Sequence, residues 1–239
     1  MTDVEVVPQA PSQPAPSPAS PASPASPASP ASPAAETNRE RVSRRQVDKF
    51  AERRAQLADA ALQTLAELGY ARTSLREIAQ KTEFSHGVLH YYFSDKEDLI
   101  THCVRQYEAA CVTRYDEIVA LADSAEELKR EFSAAMAQTL RTDAPMHRLW
   151  YDLRNQSLFE ESFRADVLEI DQRREAMIWR VVSRYAELAR ISVTLSQAAV
   201  YAILDGLFQY ALLHHLAGDE GPADELAANV IRVLDTLDA

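Results

Sequence analysis

The sequence predicts an all-α fold of about nine helices, and three observations carry that expectation. Of 12 prolines, ten fall between Pro8 and Pro33, which leaves Pro145, Pro222 and all five glycines to punctuate the rest of a 239-residue chain. Sheets and sandwiches require many more turn residues than that. From Asp48 onward the apolar residues recur at three- and four-residue steps, the period of a helix with one buried face. The breaks between these segments carry helix-capping chemistry, with Ser or Thr ahead of a glutamate or a glycine behind the last apolar residue.

The chain opens on a segment of another kind. From Pro14 to Ala35 it is almost entirely Pro, Ala and Ser, much of it in a three-residue period. Proline at this density removes amide donors, and Ala and Ser bury too little surface to offset the entropy of ordering. Residues 1–42 are therefore expected to be a disordered, partly polyproline-II tail without chemistry of its own.

The first helix is expected over Asp48–Leu68, with Ala51, Leu57, Ala58, Ala61, Leu62, Leu65 and Leu68 mostly at three- and four-residue steps on its apolar face and Gly69 stopping it. Thr73 and Ser74 then offer an N-cap, and Glu77 completes a capping box for a short helix from Leu75 to about Lys81. After a break at Thr82-Glu83-Phe84, Ser85 caps a second short helix ending at Tyr91 or Tyr92. Ser94 with Glu97 repeats the capping box and opens a long helix to about Ala122. Ala125–Arg141 is amphipathic, Pro145 opens a helix over Met146–Leu158, and Phe163–Leu188 is long and amphipathic. Leu195–Leu216 is apolar nearly all round and is expected to be buried on most sides. Gly218 and Gly221 separate it from a last helix, Ala223–Leu237.

Charge and composition narrow the function. The net charge of −11 rules out a uniformly basic nucleic-acid coat, but residues 36–105 hold 12 Lys/Arg against 11 Asp/Glu, whereas 106–239 hold 13 against 23. Contact with a polyphosphate is thus confined to the N-terminal part. Cys103 and Cys111 stand eight apart on one expected helix, about 12 Å by helical rise, too far to bond each other. They are read as buried, reduced thiols suited to the cytoplasm. There is neither a run of 18 apolar residues nor a basic-then-apolar leader, so a soluble cytoplasmic protein without membrane contact is expected. No glycine-rich phosphate loop, nucleophile motif or clustered metal-ligand spacing appears, so neither an enzyme, a cofactor nor a metal site is expected.

Two short helices joined by a three-residue turn and preceded by a longer one form a helix-turn-helix unit. A helix is narrow enough to enter the roughly 12 Å major groove of duplex DNA, where base edges carry sequence information. In the second short helix Leu89 and Phe93, four apart, should face the small core together with Ile78 and Ala79. That turns His86, Gly87, His90 and Tyr91 outward, a surface odd for plain solvation and apt for reading a groove. His86 and His90 are also spaced to clamp a metal, but no third ligand lies nearby. Arg44 and Arg45, in a run of seven positive charges over residues 39–54, are either a solvated face or an arm that follows phosphates.

The run GYARTSLREIAQKTEFSHGVLHYYFSDKEDL, within Arg54–Val104, resembles the DNA-binding domain of the TetR family of transcriptional regulators. The likeness rests on Gly-Tyr after the first helix, Thr-Ser before the second, Ile-Ala within it, an aromatic-rich third helix and Ser-x-Lys-Glu-x-Leu opening the fourth. The resemblance implies a DNA-binding domain over 43–95 and a helical ligand-binding and dimerisation domain over 96–239. It implies that Arg76 reaches a base or phosphate, that Thr73 and Ser74 hold a phosphate, that His86, Gly87, Val88, His90 and Tyr91 read the groove and that Ser85, just ahead of them, also contacts DNA. Tyr92 and Lys96 would meet phosphates beyond it, and a cation such as Lys96 in a first helical turn is easier to rationalise with a phosphate beside it. At the turn, Thr82-Glu83 replaces the family's usual small residue and glycine, and His90 stands where tyrosine is common.

For the C-terminal part the resemblance implies an internal pocket for a small-molecule effector, with Tyr107, Tyr115, Phe132, Met136, Trp150, Trp179, Tyr201 and Phe208 as lining, although aromatic stripes of this kind are first of all core. Asp205, costly to bury unpaired, either pairs with an arginine or orients a ligand. The adjacent His214 and His215 are read as core or interface packing. The expectation is a homodimeric repressor on a near-palindromic double-stranded DNA operator, released by a small effector. The alternative is a helical ligand-binding or scaffold protein with a vestigial DNA unit.

Overall fold

A computed structural model of the chain describes residues 38–237, with side chains from Arg44 onward. The expected tail lies outside the described residues except for its last five positions, which are helical. Among the described residues there are nine helices and no strand. Helix α1 spans Asn38–Leu68, α2 Leu75–Lys81, α3 His86–Tyr92, α4 Lys96–Cys111, α5 Asp116–Leu121, α6 Ala125–Gln156, α7 Arg164–Ala189, α8 Gln197–Ala217 and α9 Pro222–Asp235. Thus α1 begins ten residues before Asp48, through a stretch rich in Arg, Glu and Gln that favours helix without needing a buried face.

From Val42 onward the chain packs as one compact unit. Leu57, Ala61 and Leu65 of α1 meet Ile78 of α2, Leu89 of α3 and Leu99, Ile100 and Cys103 of α4 in a fully buried cluster. In the larger C-terminal part α6 packs against α7, α8 and α9, and α5 fits between α6 and α7. Both cysteines are free and buried, and burial raises their thiol pKa values.

Three further boundaries differ from the sequence reading. Asp95, not Ser94, is the N-cap of α4: its carboxylate accepts from the Asp98 amide at 2.7 Å. The single helix expected through Ala122 breaks at Val112–Tyr115, where long-range partners win. The Arg114 guanidinium is drawn to Thr139 and Asp143, and the Tyr115 ring is buried edge-on against Phe132 at 4.9 Å.

The third difference concerns Pro145, which lies inside α6 rather than opening a new helix. Proline in a helix interior removes one backbone hydrogen bond. Here it faces solvent, so water can serve the carbonyl left over, while Leu140, Ala144, Leu149 and Trp150 on either side stay buried and hold the helix in register. Helix α8 differs in burial rather than extent. In the single chain Ile203, Tyr210, Leu213 and Leu216 are exposed, so the helix is covered on one side only.

Candidate nucleic-acid interface and interior cavity

The helix-turn-helix is fixed by local capping. Ser74 accepts from the Glu77 amide at 3.2 Å and donates its hydroxyl to the Glu77 carboxylate at 2.9 Å. Ser85 accepts from the Val88 amide at 3.3 Å. Between these caps Thr82 ends α2 in extended conformation, and its hydroxyl donates to the Ile78 carbonyl at 2.9 Å. Among described non-glycine residues Arg190 has a positive φ, so Glu83 completes the turn without that strain.

With Leu89 and Phe93 buried, α3 turns His86, Gly87, His90 and Tyr91 to solvent, Tyr91 with 72% of its surface exposed. The two imidazoles lie edge to face at 4.4 Å. Tyr91 and Tyr92 join Phe50 of α1 in an aromatic cluster, Tyr92 at 4.8 Å and Tyr91 at 6.1 Å. Val88 and Tyr92 are half-buried, and Arg76 on α2 is exposed. A Cβ added at Gly87 would meet nothing within 4 Å, so the protein's own packing does not ask for glycine there.

Other expected contact residues have internal engagements. Thr73 is buried and donates to the Gly69 carbonyl at 2.6 Å. Lys96 reaches the Tyr70 carbonyl at 3.3 Å and lies 4.0 Å from the centre of the Tyr70 ring, contacts that account for a cation in the first turn of α4 without a phosphate. Arg44 and Arg45 are exposed on α1.

Tyr70 is also the point where α6 grips the DNA-binding unit. Its amide donates to the Asp152 carboxylate at 2.6 Å, and its hydroxyl donates to Glu97 at 2.9 Å. Burial and that carboxylate hold the phenol well above its usual pKa. The Arg148 guanidinium donates to the carbonyls of Ala66 and Glu67. A cation at the last carbonyls of a helix also opposes the negative end of its dipole. Gly69, with φ of +77°, sits under this clasp: a Cβ there would stand 3.0 Å from the Asp152 carboxylate.

One turn of α6 therefore has two faces, since Arg148 and Asp152 hold the DNA-binding unit while His147 and Tyr151 line an interior cavity of about 50 Å³. Of the residues expected to line a pocket, Tyr115, Met136, Tyr201, Asp205 and Phe208 do so. Phe132 and Trp150 are buried behind the walls, Trp150 with the Arg174 guanidinium 4.7 Å above its ring. Trp179 is half-buried away from the lining, and Tyr107 donates to Asp143 at 3.1 Å. Of the two roles expected for Asp205, the pairing with an arginine is present: it accepts from Arg154, and from Tyr151 at 2.9 Å, and it stands in the cavity wall.

The polar walls are largely absent from the sequence reading. Glu108 and Arg174 form a buried two-bond ion pair, and His147 is buried against Phe208 with ring centres 4.5 Å apart. The signal was nonetheless there. Arg174 interrupts the stripe Val167, Ile170, Met177, Ile178 and Val181, and a charge at a core position must have a buried partner. His214, by contrast, lies on the surface, 2.5 Å from the Asp219 carboxylate. No group of three or more His, Cys, Asp or Glu able to hold a metal occurs among the described residues, and no described helix is long and apolar enough to cross a membrane.

Comparison with known proteins agrees with this geometry. Residues 57–103 match the family pattern described as bacterial regulatory proteins, tetR family. The chain is 30% identical over 181 residues to the HTH-type transcriptional regulator BetI of Burkholderia mallei, covering 74% of this chain and 87% of that protein. Among solved structures, a TetR-family transcriptional regulator from Rhodococcus superposes with a TM-score of 0.63 at 17% identity, over 79% of this chain and 100% of that one. A transcriptional regulator from Saccharomonospora viridis in complex with choline gives 0.62 at 17% identity, over 78% and 97%. The α1–α4 unit and the relatives that span most of both chains lead to one conclusion: this chain belongs to the tetR family of bacterial regulatory proteins and is a DNA-binding transcriptional regulator.

Proposed function

We propose that the chain is a homodimeric repressor that binds a near-palindromic operator through α3 and leaves it when a small molecule enters the cavity beside α6. In this reading residues 43–95 form the DNA-binding domain and 96–239 the effector and dimerisation domain of a cytoplasmic protein. The observation that carries it is the outward ridge of His86, His90 and Tyr91 around Gly87, on a seven-residue helix anchored from behind by Leu89. Exposed imidazoles and a phenol that touch only neighbouring rings suit hydrogen bonding and stacking in a groove. Arg76 adds a guanidinium from α2, Val88 a small apolar contact, and Ser74, Ser85 and Tyr92 hydroxyls at the rim. Arg44 and Arg45 follow the adjacent backbone. Thr73 and Lys96 act from behind by holding the Gly69–Tyr70 turn, and Lys96 swings to a phosphate when DNA is present.

Release follows from α6. A ligand that shifts His147 and Tyr151 also moves Arg148 and Asp152, one residue along the same turn, and with them the end of α1 and the Gly69–Tyr70 turn that leads to α2. Differential affinity of the ligand for the two arrangements sets the switch. Arg76→Ala and Tyr91→Ala are expected to weaken operator binding by about 1–3 kcal/mol each and to relax preference at particular base pairs. A gel shift with the DNA flanking the protein's own gene reads this, and unchanged affinity in both variants defeats the assignment of the interface.

A further inference from the structure

We infer that the cavity takes a small uncharged ligand whose hydroxyl or carbonyl group hydrogen-bonds to His147, making His147 the residue that sets effector specificity. The inference rests on the reading of the cavity as the effector site and adds the chemistry of what fills it.

The argument is one of hydrogen-bond accounting. Four charged side chains line the cavity, and each is already paired: Glu108 with Arg174, Arg114 with Asp143 at 3.1 Å, and Asp205 with Arg154, a guanidinium it shares with Asp171 at 3.4 Å. Tyr151 donates to Asp205, and Tyr201 donates to Asp171 at 2.7 Å. The lining itself holds two acids and two guanidiniums, all engaged, so an ion entering the cavity would have to break one of these pairs to gain a countercharge, and a buried uncompensated charge is costly. His147 is different. It is buried, it lines the cavity, and neither of its ring nitrogens has a hydrogen-bond partner. Among the described residues the other buried side-chain nitrogens or oxygens without partners belong to Arg54, His102 and Trp150, none of which lines the cavity.

An imidazole is a donor at one nitrogen and an acceptor at the other when neutral. Burial and the nearby guanidiniums of Arg174 and Arg114 keep His147 in that form. A neutral imidazole with both functions unused, in a wall otherwise satisfied and partly apolar through Met136, Met177 and Phe208, is the complement of a ligand carrying one polar atom on a compact apolar body. About 50 Å³ of space admits a few waters or one small organic group.

The test uses the full chain with 15N-labelled histidine rings and 13C-labelled methionine methyls. Three probes of similar size, each with two or three heavy atoms, are titrated separately: methanol, methylammonium and formate, with charges of zero, plus one and minus one. The expected result is a saturable shift of the His147 ring nitrogens and the Met136 and Met177 methyls with methanol, and none with either ion at equal concentration. In His147→Phe, which keeps a ring on Phe208 and removes both nitrogens, the methanol affinity read from the methyls falls at least fivefold. Equal or tighter binding of either ion, an unchanged affinity in His147→Phe, or no response to methanol overturns the proposal. These readouts contain no DNA, so such a failure leaves the operator reading standing, and loss of that reading appears separately in the gel shift of Arg76→Ala.

Discussion

Gly87 lies on the exposed side of α3 where a methyl group would meet nothing, yet glycine within a helix costs about 0.5–1 kcal/mol relative to alanine. Such a cost without an internal return is best explained by something outside the chain that needs the backbone close. Gly87→Ala is therefore expected to raise the melting temperature while weakening operator affinity several-fold. A variant that gains stability and loses nothing in a gel shift would show that the glycine has no role at the interface. His147 gives a second test at this scale. Its pKa is held well below the ordinary 6.5, first by burial and then by Arg174 and Arg114. As pH falls through 6.5 the unfolded chain takes up a proton that the native state refuses, so stability drops by up to about 1.4 kcal/mol per pH unit. Above that pH the histidine contributes no slope. His147→Phe should flatten the fall in denaturation midpoint between pH 7.5 and 5.5. Some slope persists from His102, whose pKa burial also lowers.

At the scale of the element, α6 does two jobs along one turn. Arg148→Ala leaves the Ala66 and Glu67 carbonyls at the end of α1 without their guanidinium, and is expected to cost about 1 kcal/mol in stability. If the clasp also positions the reading unit, operator affinity measured well below the melting temperature falls too; a clasp that serves stability alone leaves that affinity unchanged. What the sequence made legible follows the same division between local and distant causes. The caps Ser74 and Ser85 and the spacing of Ile78, Leu89 and Phe93 are local signals, and α2 and α3 ended where those signals placed them. The break at Val112–Tyr115 depends on Thr139, Asp143 and Phe132, far along the chain, and no local pattern announces it. Pro145 reads as a helix boundary because its cost is local, whereas its tolerance depends on which side of α6 faces water. The cavity divides likewise. Tyr115, Met136, Tyr201, Asp205 and Phe208 lie in stretches whose aromatic and apolar content points inward, but the role of Glu108 is visible only through Arg174, and that of His147 only through the absence of a partner.

For the whole molecule, the proposed homodimer rests on the exposed apolar residues of α8. Ile203, Tyr210, Leu213 and Leu216 fall at three- to seven-residue steps along one face, and each exposes 40% or more of its surface. An apolar stripe of this length in water marks an interface, and a two-fold axis beside it buries the same stripe from a second copy. The charge distribution is compatible with that face. The acidic residues of the C-terminal part repel phosphate, so a dimer formed through α8 and α9 leaves the basic α1–α3 ends free, and operator reading by two copies of α3 requires them about 34–36 Å apart. Leu213, 68% exposed in the single chain, tests the whole arrangement. Leu213→Glu places two like charges across the axis and should convert the protein from dimer to monomer in sedimentation velocity at micromolar concentration, with the helical content unchanged by circular dichroism. Operator affinity should then collapse toward the weak, strongly salt-dependent binding of a lone half-site. A Leu213→Glu protein that remains dimeric would place the symmetry axis on another face and remove the basis for the half-site spacing.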